Sequence, residues 1–203
     1  MTQTASSATS RSQAKADRRQ SLLDAAARLF AEHGFAGVSM EDLGAAAGVS
    51  GPAVYRHFSG KQAVLGALLV GVSENLLAGG KQQIAAASDA QRALTGLVRF
   101  HVEFALQNPD IIRAQDRDLA QLTDSDRIAV RSLQRSYVEL WVGVLCELVA
   151  EDVATLRVRA HAVFGLINST PYSTRTHGVA SRPPLRAVGS LLERMALAAL
   201  LSA

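Results

Sequence analysis

Apolar residues recur along this chain at intervals of three and four, and no run alternates with period two. Leu22, Ala26, Leu29 and Phe30 share one helical face after Arg18, and Gly34 follows at a C-cap position. Ser39-Met40-Glu41-Asp42 predicts an N-cap with an acidic partner three places on. A short helix runs from there to about Ala47, and Gly48 breaks it. Ser50 is a second N-cap, with Gly51 and Pro52 in the first turn of a very short helix that ends near Phe58. Ser59 and Gln62 suggest a third capping box, which opens an apolar helix to about Leu77, before Gly79-Gly80.

The rest of the chain also has helical periodicity, with candidate helices near 88–107, 109–120, 124–150, 152–169 and 184–202. Asn108-Pro109, Thr123-Asp124 and Glu151-Asp152 punctuate them. The pattern predicts an all-α protein of about nine helices. Residues 1–16 are rich in Ser, Thr, Ala and Gln and are expected to form a disordered arm. Residues 170–183 are expected to form a long polar loop.

Two helices of about two turns each are unstable alone and must lean on a third. Leu43, Ala47, Val49 and Val54 are apolar where such helices would touch, and Gly44 and Ala47 are small enough for close approach. Gly48 supplies the turn, where a positive φ is cheap for glycine. This is the layout of a helix-turn-helix, whose second helix enters the DNA major groove. The glycine-rich run 48–61 is not a nucleotide phosphate loop. The first glycine of that motif would fall on Tyr55, and Gln62 follows Lys61 where a hydroxyl is needed.

The charge balance adds only a little to this. The net charge is +3, with the small excess toward the N-terminus, so DNA binding has to be argued from how the charge is placed. Cys146 is the only cysteine, which excludes an intrachain disulfide and a cysteine zinc cluster; it is expected in the core. The five histidines form no HxxxH pair, so no metal site and no cofactor are expected. The polar start is unlike a secretory signal, and the apolar run 63–73 is short for a membrane span, so a cytoplasmic protein with no membrane partner is expected.

Residues 18–68 resemble the N-terminal domain of the TetR/AcrR family of bacterial transcriptional regulators. The resemblance rests on Gly-Phe after the first helix, Ser39 at the start of the second, and the run Val54-Tyr55-Arg56-His57-Phe58-Ser59-Gly60-Lys61. It implies a helix-turn-helix domain over 17–63 and an effector-binding and dimerisation domain over 64–203. It further implies that Ser39 offers its hydroxyl or N–H to a phosphate. Ser50, Gly51, Pro52 and Ala53 would form the groove-facing tip, while Tyr55, His57 and Lys61 would reach phosphates. Arg56 would meet a guanine edge or a phosphate, and Arg18 and Arg19 would touch backbone or minor groove.

In that family the last two helices pair with those of a second copy. The apolar residues Val163, Ile167, Val188, Leu191, Leu192, Met195 and Ala199 are the expected homodimer interface. Phe100, Phe104, Tyr137, Trp141, Phe164 and Asn168 are candidate walls of an effector pocket, with local capping an alternative for Asn168. Arg113 and Arg117, and Arg127, Arg131 and Arg135, are either a solvated surface or an anion site for an effector such as an acyl-CoA. Together these features predict a repressor, not an enzyme, that a small hydrophobic effector releases from a palindromic DNA operator. The rival reading is a helix-turn-helix adaptor acting through protein contacts.

Overall fold

The computed structural model describes the backbone of residues 4–173 and 183–202 and the side chains of 12–170 and 183–202. Regular structure among them is entirely helical: α1 (Thr4–His33), α2 (Met40–Ala46), α3 (Gly51–Val54), α4 (Lys61–Ala86), α5 (Ala90–Gln107), α6 (Pro109–Asp118), α7 (Asp124–Cys146), α8 (Val153–Ser173) and α9 (Leu185–Leu201). A single 3-10 turn, Leu119–Gln121, links α6 to α7. The expected loop 170–183 is thus helical as far as Ser173, and residues 174–182 lie outside the described residues.

The helices form two compact units. One contains the chain up to Val70 together with Arg113–Arg127; the other contains Gly71–Ile112 and the chain from Ile128 onward. A single boundary at residue 63 is therefore too simple, because a distant segment returns to the first unit. Three contacts hold that segment there. The Gln62 side-chain amide donates to the Gln121 carbonyl at 2.8 Å. The Arg117 guanidinium lies beside Gly34, and the Asp126 carboxylate packs directly on Gly66. Gln62 is thus engaged across the unit, and α4 begins at Lys61 without the capping box expected at Ser59.

The expected mobile arm is instead the start of α1. Its Ala, Gln, Arg and Lys residues are good helix formers. Gln13 Nε2 donates to Asp17 Oδ1 at 2.9 Å, one turn apart. Further along, Leu22, Ala25, Ala26 and Phe30 are buried, and Gly34 ends the helix with φ +77°.

In the second unit, α5 and α8 both pack on α9 and on each other. Leu94, Leu97, Val98, Trp141, Leu145, Leu156, Ile167 and Leu200 fill its core. Here α4 runs on to Ala86, past its expected end near Leu77 and through the Gly79-Gly80 pair. Two glycines cost an exposed helix about 2 kcal/mol, but these two accept aromatic rings on their bare backbone. Phe100 packs on Gly79, and a Cβ at Gly80 would lie 2.7 Å from the Tyr137 ring. By length and composition α4 could cross a membrane, yet Val64, Leu65, Leu68 and Leu69 are buried against protein. Cys146, expected in the core, is exposed at the last position of α7. Val144 and Leu145 take the inward positions there.

Candidate functional site

The helix-turn-helix is built on a glycine contact and a glycine turn. Gly44 of α2 faces the Val49 carbonyl and the Val54 side chain, and a Cβ there would lie 2.9 Å and 3.1 Å from them. Gly48 turns the chain with φ +69°. Leu43, Val54 and Phe58 are buried beneath the pair. The second helix is shorter than expected: α3 ends at Val54, and Tyr55–His57 continue as turn.

This frame leaves Ser50, Pro52, Tyr55 and Arg56 exposed on one stretch of chain, with Tyr55 54% exposed. Gly51 and Ala53 are partly exposed between them. Ser50 has N-cap backbone angles but makes no side-chain cap bond. Its hydroxyl is therefore not spent on capping.

Ser39 is placed differently. Its Oγ accepts from the Asp42 N–H at 3.0 Å, while its hydroxyl and N–H both donate to Asp42 Oδ2, at 2.7 and 2.8 Å. These bonds hold the Asp42 carboxyl below the usual range. The capping box is real, and it engages the two donors assigned to a phosphate. Lys61 is also occupied. Its ammonium donates to the Val38 carbonyl at 2.6 Å, reaches the Ala36 carbonyl at 3.5 Å, and sits over the Phe35 ring. Its position in the first turn of α4 aims it at the chain entering α2, so it secures that turn instead of standing free.

His57 sits at the centre of a basic face. Its pKa is lowered first by burial and then by the charges of Lys15, Arg18, Arg19 and Arg56. Its Nδ1 is buried without a hydrogen-bond partner. Arg19 also lies over the Phe58 ring at 5.1 Å. The expectation of a disordered arm over residues 1–16 leaves Lys15 out of this face. On one helix, Lys15, Arg18 and Arg19 fall on the same side, at i, i+3 and i+4.

In the second unit, five of the six candidate pocket residues meet one residue outside that set, His101. His101 has Phe104, Tyr137, Trp141 and Phe164 around it, with ring centroids 4.8–6.0 Å away. Asn168 meets His101 Nε2 through its Oδ1 at 3.1 Å, so this oxygen is engaged with α5 and not with a local cap. Phe100 stands apart, on Gly79. The signal for His101 was a lone polar residue on the apolar face Leu94, Leu97, Val98, Val102, Ala105 of α5.

Burial lowers the His101 pKa to about 4, the Asn168 hydrogen bond only partly opposing it. An unfolded histidine titrates near 6.5, so below that pH the unfolded chain takes up the proton first. Stability is expected to be complete above about pH 6.5 and to fall by about 3 kcal/mol as pH drops toward 4. Urea unfolding across this window checks it, and His101→Gln should flatten the profile.

The arginine clusters do not form one site. Arg117 meets the buried Asp118 at 3.4 Å, and Arg127 pairs with Asp124. Arg131 and Arg135 line a groove of about 730 Å³ with Arg157 and His161. Arg157 is there held by both Glu139 carboxylate oxygens, at 2.6 and 3.0 Å.

The proposed interface divides in two. Val163, Ile167, Val188 and Leu192 are buried within the chain, which corrects their assignment to a dimer surface. On α9, Val188, Leu192, Ala196 and Leu200 repeat every fourth residue and face inward. Leu191, Met195 and Ala199 form the next row and face outward, with Leu191 48% and Met195 43% exposed. On α8, Val158, Ala162 and Gly165 are likewise exposed.

Comparison with known proteins agrees with both units. Residues 22–68 match the bacterial regulatory proteins of the tetR family, and residues 87–178 match a tetracyclin repressor-like C-terminal domain. The HTH-type transcriptional repressor KstR2 of Rhodococcus jostii is 30% identical over 132 residues. That match takes in 64% of this chain and spans 65% of the relative's length. The crystal structure of AibR in complex with isovaleryl coenzyme A and operator DNA has a TM-score of 0.71 at 17% identity, covering 88% of this chain and 97% of that one. The regulator FadR from Bacillus subtilis in complex with stearoyl-CoA has a TM-score of 0.68 at 17% identity, covering 90% and 97%. With two tetR-family matches that together take in more than half of the chain, and the same fold in solved regulators, the chain belongs to the tetR family of bacterial regulatory proteins.

Proposed function

We propose that the chain is a cytoplasmic, homodimeric repressor that leaves its DNA operator when a small hydrophobic effector binds the second unit. The observation that carries this reading is the exposed set Ser50, Pro52, Tyr55 and Arg56 beside the basic face of Lys15, Arg18, Arg19 and Arg56. Counterion release makes such a face a phosphate-binding surface, and the small tip Gly51-Pro52-Ala53 suits entry into a groove. Arg56 is the residue proposed for a base edge and Tyr55 for a phosphate. The adaptor reading has no comparable observation behind it, since an adaptor needs no basic face around His57.

A ligand of acyl-CoA or similar lipid-like character for the His101 cluster is supported by two proteins of the same fold, AibR and FadR, solved with isovaleryl coenzyme A and stearoyl-CoA. Release requires the effector to favour one of two conformations of the chain. The contacts of Gln62 with Gln121 and of Gly66 with Asp126 are where movement of the 113–127 segment would be felt by the reading head.

The test is salt-dependent binding to the chain's own upstream DNA. Arg56→Ala with Arg19→Ala is expected to lower affinity and reduce the slope of log K against log salt by about one per lost phosphate contact. Lys61→Ala should instead lower the melting temperature with little change in slope, because its ammonium is held by carbonyls. Unchanged slope and affinity in the double variant would reject this reading head.

A further inference from the structure

The polar groups of the His101 cluster are not fully matched. Trp141 is wholly buried, and its Nε1–H has no acceptor in hydrogen-bond geometry. A buried donor left unmatched typically costs about 1–3 kcal/mol, so native cores rarely keep one without a use. The Tyr137 hydroxyl is the second loosely held donor. It meets His101 Nδ1 only at 3.4 Å, while His101 Nε2–H donates to Asn168 Oδ1 at 3.1 Å. Burial raises the Tyr137 pKa and the Trp141 N–H opposes that rise, so the indole N–H faces the phenol oxygen without reaching hydrogen-bond geometry. The indole and phenol rings lie 6.1 Å apart at 77°.

From this arrangement we infer that the effector presents an uncharged carbonyl, whose oxygen accepts from Trp141 Nε1–H and Tyr137 Oη–H together. The inference rests on the effector-responsive reading above and specifies the ligand chemistry at that site. A carbonyl oxygen has two lone pairs and so can accept from two neighbouring donors. A carboxylate or phosphate at the same point would be buried without a counter-charge. The buried polar residues of this unit among those described are Ser73 and His101, and burial keeps His101 neutral at ordinary pH. The body of the ligand would be apolar, against Phe104 and Phe164. Both are partly exposed, as is Asn168, so the cluster reaches the surface on that side. An acyl thioester and a ketone offer the same acceptor.

Trp141 is the only tryptophan of the chain, so its emission reports on this site alone. The full chain is titrated with four probes of matched length: S-ethyl decanethioate, ethyl nonyl ketone, ethyl decyl sulfide and decanoate. The thioester and the ketone are expected to shift the Trp141 emission to the red and to bind at least about tenfold more tightly than the sulfide or decanoate. Whichever of the two binds more tightly identifies the source of the carbonyl. In calorimetry, Trp141→Phe and Tyr137→Phe should each weaken the carbonyl probes about tenfold while leaving the sulfide unchanged. Equal binding of sulfide and thioester, tightest binding by decanoate, or no emission change with either carbonyl probe would overturn the inference. Salt-dependent DNA binding measured on the same preparation separates the two failures. If it is intact while the probes fail, only the carbonyl inference falls; if it is absent, the regulator reading falls.

Discussion

Gly44→Ala is expected to abolish duplex binding and to lower the stability of the first unit by at least about 1–3 kcal/mol, the usual cost of overpacking a tight core. The reason is local. A methyl group at Gly44 would press on the Val49 carbonyl, the Gly51 backbone nitrogen and the buried Val54. Two of these neighbours are backbone and cannot turn aside as a flexible side chain can. The Val49 N–H also donates to the Gly44 carbonyl at 2.9 Å, so pushing the two apart breaks the bond that closes the turn. Since α2 and α3 are seven and four residues long, neither has stability of its own to absorb the loss. Gly51→Ala provides the contrast. A Cβ there meets only Glu41, at 3.6 Å, an ordinary contact. That variant should fold with an unchanged melting temperature, and any loss of DNA affinity would then report the approach of the tip to the groove. Calorimetric melting and fluorescence anisotropy on both variants decide the matter. A Gly44→Ala protein that melts like the parent would show that the two helices do not depend on this contact.

The sequence made some features legible because they are local. The capping box at Ser39, the positive φ at Gly48 and the break at Gly34 each need a residue type that few others can replace. Helices α5 to α9 were readable because their apolar faces repeat with the helical period between clear punctuation. What stayed hidden was decided by distant partners. Gly79 and Gly80 look like a helix end until Phe100 and Tyr137 are seen packed on them. Lys61 reads as a free cation until its ammonium is found on the Val38 carbonyl, twenty-three residues back. Lys15 vanished for a different reason: a polar, apolar-poor segment can be helical without burying anything. His101 shows the same limit from the other side. A single histidine on an apolar face carries no motif, and only the three helices around it turn it into the centre of a cluster.

Leu191→Glu combined with Met195→Glu is expected to convert the protein to a monomer and to reduce operator affinity by about a thousandfold or more, the usual gap between specific and non-specific DNA binding. The apolar residues of α9 fall in two rows. A helix apolar nearly all round must be covered on more than one side. In this chain Val188, Leu192, Ala196 and Leu200 are covered from within, while Leu191, Met195 and Ala199 remain in contact with solvent, as do Val158, Ala162 and Gly165 of α8. Gly165 has open space where a side chain would stand, which lets a second helix approach closely. Covering such a face with a second copy gives a two-fold pair of reading heads, and a single four-residue recognition helix needs that pairing to address more than a few base pairs. Two glutamates placed there would be buried and unpaired on association, yet in the isolated chain both positions are about half exposed and leave the carboxylates in solvent. Light scattering should therefore report half the mass with little change in helical content. Val163→Ala is the informative counterpart, since Val163 is buried inside the chain. It should cost stability by leaving a small cavity without changing the mass. The reverse outcome, in which Val163→Ala dissociates the protein and the double glutamate variant remains paired, would place the interface on the inward row and reject the outward one.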